Sequence, residues 1–197
     1  MMPRSRRAFP DLSRALAIIA FVAGGSWSVS GESCAQTVAE PEGYRMEAFR
    51  APVPETLAGA RVVSDQQVLE LHASGEVIFI DVLPRPPKPE KLPDDVVWRP
   101  RPRNNIPGSV WLVNVGFGAL NPETEKYFRS NLERLTAGDK SAGILIYCLA
   151  DCWMSWNAAR RVLSYGYSNV YWYPDGTDGW TGLGGETEPS EPVPMTP

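Results

Sequence analysis

The chain holds 197 residues, 43% of them apolar and 21% charged, enough for a single domain with its own core. Nineteen basic against 23 acidic side chains leave a net charge of -4, which excludes a sequence-independent electrostatic grip on nucleic acid. One histidine, His72, excludes metal centres built from several imidazoles, and three cysteines are too few for a disulfide scaffold, so no metal and no cofactor is expected.

Arg4, Arg6, Arg7 and Arg14 accompany an apolar run from Ala15 to Ala23, followed by small and polar residues ending in Ser33-Cys34-Ala35. A basic start, a short apolar middle and small residues at the end describe a secretory signal peptide over residues 1–35, cleaved after Ala35. The run is too short to span a bilayer, so a periplasmic product with no stable membrane span after processing is expected. Ser5-Arg6-Arg7-Ala8-Phe9 also resembles a twin-arginine signal, which leaves both export routes open. Cys148 and Cys152 are then the cysteines of the processed chain, in a compartment where disulfides persist.

Residues 36–57 are polar and carry Pro41, Pro52 and Pro54, which marks an extended arm. Ala60 to Val63 reads as a short strand. Ser64-Asp65-Gln66-Gln67 has the Ser-x-x-Gln form of a capping box, with Val68, Leu69 and Leu71 at helical spacing and Gly75 as the stop. Val77 to Ile80 is a continuous apolar run closed by Asp81, the pattern of a strand buried on both faces. From Pro84 to Pro107 stand eight prolines with Arg85, Arg99, Arg101 and Arg103, a long structured loop whose arginines could attract an anion.

A turn at Ile106–Ser109 feeds a short apolar stretch through Leu112. Asn121-Pro122 is an N-cap with proline at the first helical position, and Phe128, Leu132 and Leu135 form the buried stripe of a helix ending near Gly138. Gly143 to Tyr147 is a second doubly buried strand, with Cys148 immediately after it. Ser155 is placed to cap the next helix, whose Trp156, Ala159, Val162 and Leu163 share a face and which stops at Gly166. A last strand, Asn169 to Trp172, leads into a Pro-Asp-Gly turn at 174–176, and residues 185–197, rich in glutamate and proline, are expected to be disordered. Strands alternating with helices in this way predict an α/β fold: an open, mostly parallel sheet with helices on both faces, in a single domain over residues 58–184.

A strand ending in cysteine and a short loop running into a helix place the Cys148 sulfur in a bowl of main-chain N–H groups at the positive end of the helix. Such a bowl favours thiolate, persulfide or a bound oxyanion. Ile80-Asp81-Val82, Ile106-Pro107-Gly108-Ser109-Val110, Ile146-Tyr147-Cys148 with Ala158-Ala159, and Tyr173-Pro174-Asp175-Gly176 up to Trp180 stand in an order that resembles a rhodanese-like domain. The resemblance implies a rhodanese-like fold and makes Cys148 the sulfur-carrying nucleophile of a sulfurtransferase. Cys148-Leu149-Ala150-Asp151-Cys152-Trp153 further resembles an exported rhodanese-like family known by a Cys/Cys-Trp motif and associated with alcohol oxidation dependent on pyrroloquinoline quinone (PQQ), which implies a PQQ-dependent dehydrogenase or cytochrome as partner.

Within that resemblance, Leu149, Ala150, Asp151 and Trp153 form the substrate-binding loop around Cys148, Cys152 resolves or protects the reactive sulfur, and Asp81 orients the loop. The substrate would be a small sulfur donor or a thiol acceptor. Asp151 occupies the place where working sulfurtransferase loops carry glycine, and a carboxylate beside an anion cradle opposes thiosulfate binding. Met154 stands where a phosphatase-like loop would need arginine, which removes phosphatase chemistry. His72 is far in sequence from Cys148 and belongs at a helix end. Two further readings stay open: a dithiol/disulfide switch formed by Cys148 and Cys152, and a non-catalytic accessory module that presents Trp153 and the arginine-rich loop to a partner.

Overall fold

The apolar runs become the middle of one parallel sheet, and their alternation decides which side chains face which layer. A computed structural model of the chain describes residues 37–86, 88–93 and 95–195; the signal-peptide reading of residues 1–35 lies outside them. In chain order the elements are β1 (Arg61–Val62), α1 (Asp65–Ser74), β2 (Val77–Asp81), β3 (Arg103–Asn105), β4 (Val110–Trp111), α2 (Pro122–Thr136), β5 (Gly143–Tyr147), α3 (Trp153–Ser164), β6 (Val170–Tyr173), α4 (Gly176–Gly182) and β7 (Glu188–Ser190). Five strands pair in the order β1-β6-β5-β2-β4, all parallel, so the fold is the expected α/β arrangement in a single domain. The register sets Asp81 beside Tyr147 and Tyr147 beside Tyr173, so three strands end level at the carboxyl edge of the sheet.

On β5, Ile144 and Ile146 pack with α2 and α3, while Leu145 and Tyr147 pack with α1 and α4. That period-two division produces two cores, one on each face, and the position after Tyr147 sends Cys148 into the larger one. Its largest fully buried members are Trp153, Trp156, Trp172 and Phe128, each worth about 1.5–3 kcal/mol or more in buried apolar surface. Among the described residues no helix is long and apolar enough to cross a membrane.

The capping box at Ser64 and Gln67 forms with both of its bonds, and Gly75 ends α1 in the left-handed conformation. Asn121 accepts from the Thr124 amide at 2.7 Å and Pro122 opens α2. Three local expectations change. Helix α3 begins at Trp153 with Cys152 in the N-cap position, so Ser155 lies inside its first turn. The Ser155 hydroxyl donates to the Cys152 carbonyl at 2.9 Å and accepts from the Trp172 indole at 3.0 Å, serving the core rather than the cap. The Pro-Asp-Gly turn is followed by a seven-residue helix, α4, concealed by Gly176, Gly179 and Gly182, residues that disfavour helix. Any side chain at Gly179 would collide with the Asp65 carboxylate and the Tyr173 hydroxyl, which explains one of those glycines.

The segment expected to be disordered, 185–197, instead contributes β7, paired antiparallel to β3 in the proline-rich loop. The Glu188 carboxylate accepts from the Gly108 amide at 2.8 Å, Asn105 donates to the Ser190 hydroxyl at 2.9 Å, and the Val193 carbonyl accepts from Tyr127 at 2.9 Å. The partner strand lies about 85 residues away, which is why a polar, proline-bearing stretch gives no local sign of pairing. The arm preceding β1 is bonded to α3: the Asn157 side chain donates to the Arg45 carbonyl, the Arg160 guanidinium to the Pro41 carbonyl and the Trp153 indole to the Pro52 carbonyl.

Candidate functional site

The segment from Cys148 to Cys152 leaves the carboxyl edge of β5 and enters α3. It is held by the main chain first. The Cys148 carbonyl accepts from the Thr177 amide at 3.1 Å, from the Thr177 hydroxyl at 3.4 Å and from Nη2 of Arg103 at 3.3 Å. Leu149 pairs with Gly176, and a Cβ on Gly176 would sit 2.5 Å from the Cys148 oxygen at a φ of +53°, so only glycine allows the loop to lie on α4. Asp151 has φ 50°, the left-handed geometry that aspartate tolerates better than most residues. The carboxylate standing in the glycine place of working sulfurtransferase loops therefore keeps a glycine-like backbone there.

Two amides of this turn are taken by acceptors from elsewhere in the chain. The Ala150 amide donates to a carboxylate oxygen of Asp178 at 2.9 Å, and the Trp153 amide donates to the Phe49 carbonyl of the N-terminal arm at 2.9 Å. The Ser155 amide is taken by the Cys152 carbonyl at 3.2 Å. The Leu149 amide favours the ionised form of both sulfurs and the Met154 amide that of Cys152. Asp178 thus supplies the negative charge that a bound oxyanion would otherwise bring.

Both cysteines are unbridged and both sulfurs belong to the core, yet their environments differ in sign. Cys148 is 0% exposed, whereas Cys152 retains 2%, so what little surface the pair has belongs to Cys152. Burial pushes the Cys148 thiol well above its ordinary range, with its role as donor to Cys152 and the nearby Asp81 carboxylate acting in the same direction. The Cys152 thiol moves the other way, to about 6, chiefly because its sulfur accepts from Cys148, with the Met154 and Leu149 amides and the Arg50 cation adding to that.

Asp81 lies at 0% exposure at the end of β2. One carboxylate oxygen accepts from the Leu83 amide at 2.9 Å and the other from Nε of Arg103 at 2.6 Å, closing a buried ion pair. Arg103 continues to the Thr177 hydroxyl and the Cys148 carbonyl, so Asp81 is linked to the loop through Arg103 and not by direct contact. Arg103 is 8% exposed, so this member of the arginine-rich loop is committed to the interior and does not offer its charge to a solvent anion.

Trp153 is 2% exposed, its indole donates to the Pro52 carbonyl at 3.0 Å, and the Arg45 guanidinium covers its ring at 5.2 Å from the centroid. Trp156 and Trp180 are buried as well, which corrects the picture of an exposed indole as a partner- or substrate-binding surface. Of the four residues expected to bind substrate, Leu149 and Ala150 are half-buried, Asp151 is exposed and Trp153 is enclosed. His72 lies in the last turn of α1, bonds the Pro107 carbonyl at 2.9 Å and packs edge-on to Phe79 and Trp180. Among the described residues no group of His, Cys, Asp and Glu is placed to hold a metal ion.

Several residues that build the site carried no local signal. Asn157, on α3, donates to the carbonyls of Arg45 and Gly116 and accepts from the Arg45 amide, each at 2.9 Å. Arg161 donates to the carbonyls of Val115, Phe117 and Gly118 at 2.9–3.0 Å. Together they pin the arm and the segment after β4 along α3. The arm was expected only to be extended; here it forms one wall of the cysteine loop.

A family model for the rhodanese-like domain matches residues 64–183, whereas no curated protein matches the chain. Three solved structures are similar at a distance. Thiosulfate sulfurtransferase from Pseudomonas aeruginosa is 16% identical over 68% of this chain and 21% of that one, with a TM-score of 0.45. The polysulfide-sulfur transferase homodimer from Wolinella succinogenes is 14% identical over 66% of this chain and 80% of that one, with a TM-score of 0.41. An uncharacterized protein from Saccharomyces cerevisiae is 20% identical over 64% and 93%, with a TM-score of 0.38. The family match runs from the cap of α1 to the end of α4 and takes in Asp81, Arg103 and both cysteines, and on that match the chain belongs to the rhodanese-like domain family.

Proposed function

We propose that the protein performs thiol–disulfide chemistry with the Cys148–Cys152 pair, Cys152 attacking and Cys148 resolving. The observation that carries this reading is the placement of the two sulfurs: both cysteines are unbridged, both belong to the same core at the end of β5, four residues apart, and Cys152 keeps what exposure the pair has. The Cys152 thiolate attacks one sulfur of a substrate disulfide, forming a mixed disulfide and releasing one thiolate. Cys148 then gives up its proton and attacks the Cys152 sulfur, and the second substrate thiolate leaves and takes the proton. One substrate thiol, one substrate thiolate that takes its proton from water, and one Cys148–Cys152 disulfide result; the reverse sequence oxidises two substrate thiols.

Sulfur transfer at Cys148 itself would need that sulfur ionised and reached from solvent. The Ala150 and Trp153 amides, two donors that a terminal sulfur on Cys148 would need, are committed to Asp178 and Phe49, which favours the dithiol alternative. The setting we propose is the periplasm, in association with PQQ-dependent alcohol oxidation, with thiols of a dehydrogenase or cytochrome as the partners served. Support for export is the basic and apolar pattern of residues 1–35; support for the PQQ setting is the Cys/Cys-Trp motif from Cys148 to Trp153.

The test is a trapping experiment with a small aromatic disulfide. Cys148→Ser is expected to accumulate one mixed disulfide on Cys152, whereas the unsubstituted protein releases two thiols and gains an internal disulfide. Equal or faster adduct formation on Cys148 in Cys152→Ser would overturn the order of attack, and absence of any adduct would favour the non-catalytic module.

A further inference from the structure

The loop between Cys148 and Ser155 contains no arginine or lysine, so a thiolate there has no cation of its own. The N-terminal arm brings one. Arg50 and Cys152 stand opposite each other in an antiparallel bridge, flanked by the bonds from the Ala51 amide to the Asp151 carbonyl at 3.2 Å and from the Trp153 amide to the Phe49 carbonyl at 2.9 Å. Bonds running from the flanking residues, rather than between the two residues themselves, define the non-hydrogen-bonded type of pair. In that type the two Cα atoms approach to about 4.5 Å and both side chains leave the same face. Arg50 is exposed, and among the described residues no carboxylate pairs with it.

We infer that Arg50 is a positioning residue for this chemistry, a cation delivered in trans of the loop by the N-terminal arm to hold the Cys152 sulfur as thiolate. The inference rests on the dithiol reading and deepens it, because it makes the arm a working part of the site. The other charged groups around the pair are already engaged or face elsewhere. From β2 and β3, Asp81 and Arg103 pair with each other beside Cys148; from α4, Asp178 is bonded to the Ala150 amide; from the arm, Arg45 covers Trp153. Asp151, next in sequence to Cys152, is exposed, which leaves Arg50 as the charge that acts on the Cys152 sulfur. An exposed cation of this kind is screened by salt, since the Debye length falls from about 10 Å at 0.1 M to about 3 Å at 1 M.

The experiment follows iodoacetamide modification of Cys152 against pH, located by peptide mass, in the unsubstituted chain, Arg50→Gln and Arg50→Lys. Near pH 6 at low salt, Arg50→Gln is expected to react about threefold more slowly, Arg50→Lys to retain most of the rate, and 1 M salt to remove the difference. A pH profile for Arg50→Gln that overlays the unsubstituted one at low salt would overturn the role of Arg50 while leaving Cys152 as the reactive thiol. Equal slowing in Arg50→Lys, or slowing that persists in 1 M salt, would also overturn it, since a merely structural contact behaves that way. If Cys152 in the unsubstituted chain titrates at about 8.5, as a free thiol does, the dithiol reading itself fails.

Discussion

Replacing Arg103 by methionine tests the ion pair that ties the sheet edge to the cysteine loop. Asp81 is wholly buried and its carboxylate lies 2.6 Å from the Arg103 Nε, so the substitution strands a charge in the core. Removing one partner of a buried pair costs about 3–5 kcal/mol. For a domain of this size that is a fall in Tm of roughly 6–20 °C, at about 2–4 °C per kcal/mol. The Cys148 carbonyl loses one donor but keeps the Thr177 amide at 3.1 Å, so the loop contributes little to that loss.

The loss depends on pH with a definite sign. Burial already raises the Asp81 carboxyl above its ordinary value, against the pull of Arg103. A carboxyl whose folded-state value is raised stabilises fully below its unfolded value, and that contribution is lost as pH rises through the folded value. Without Arg103 the folded value climbs further, so the penalty grows from about pH 4 toward neutrality and shrinks in acid. Urea titrations followed by tryptophan fluorescence between those limits read it directly. Asp81→Asn combined with Arg103→Met is expected to recover part of the loss, since no buried charge remains unpaired. A penalty below about 1 kcal/mol, or one that does not change with pH, would refute the reasoning.

Trp153→Ala removes an indole enclosed by the arm and α3, and the expected cost is about 3–5 kcal/mol in denaturant unfolding; a change within about 0.5 kcal/mol would return Trp153 to the surface role. Asp151→Gly is expected to leave stability unchanged or slightly raised because φ there is 50°, whereas Asp151→Val should lose about 1–2 kcal/mol; equal stabilities for the two variants would show that the left-handed turn is absent in solution.

Most of the sheet is legible from residues alone because parallel strands buried on both faces read as continuous apolar runs, and Val77–Asp81 and Gly143–Tyr147 do so. Caps are legible for the same local reason: Ser64 with Gln67, and Asn121 with Pro122, satisfy the first amides of their own helices. Ser155 misleads because a serine at the right spacing also serves a tryptophan 17 residues on, a contact no local pattern reveals. The β3–β7 pairing, the Asp81–Arg103–Cys148 chain and the Arg50–Cys152 bridge all join segments far apart in sequence, and their members are ordinary polar residues where they stand. The cysteine loop itself is legible from its place after β5, but the burial of its sulfurs and the amides claimed by Asp178 and Phe49 are displayed only by the folded chain.

The central claim, that Cys148 and Cys152 act as one redox pair, is tested most directly by equilibrating the protein with graded ratios of oxidised and reduced glutathione and weighing it after thiol alkylation. The account predicts that both thiols disappear together, in one two-electron transition, as a single internal disulfide. A protein that keeps both thiols free at every ratio, or that accumulates glutathione on one cysteine without closing the pair, would contradict it.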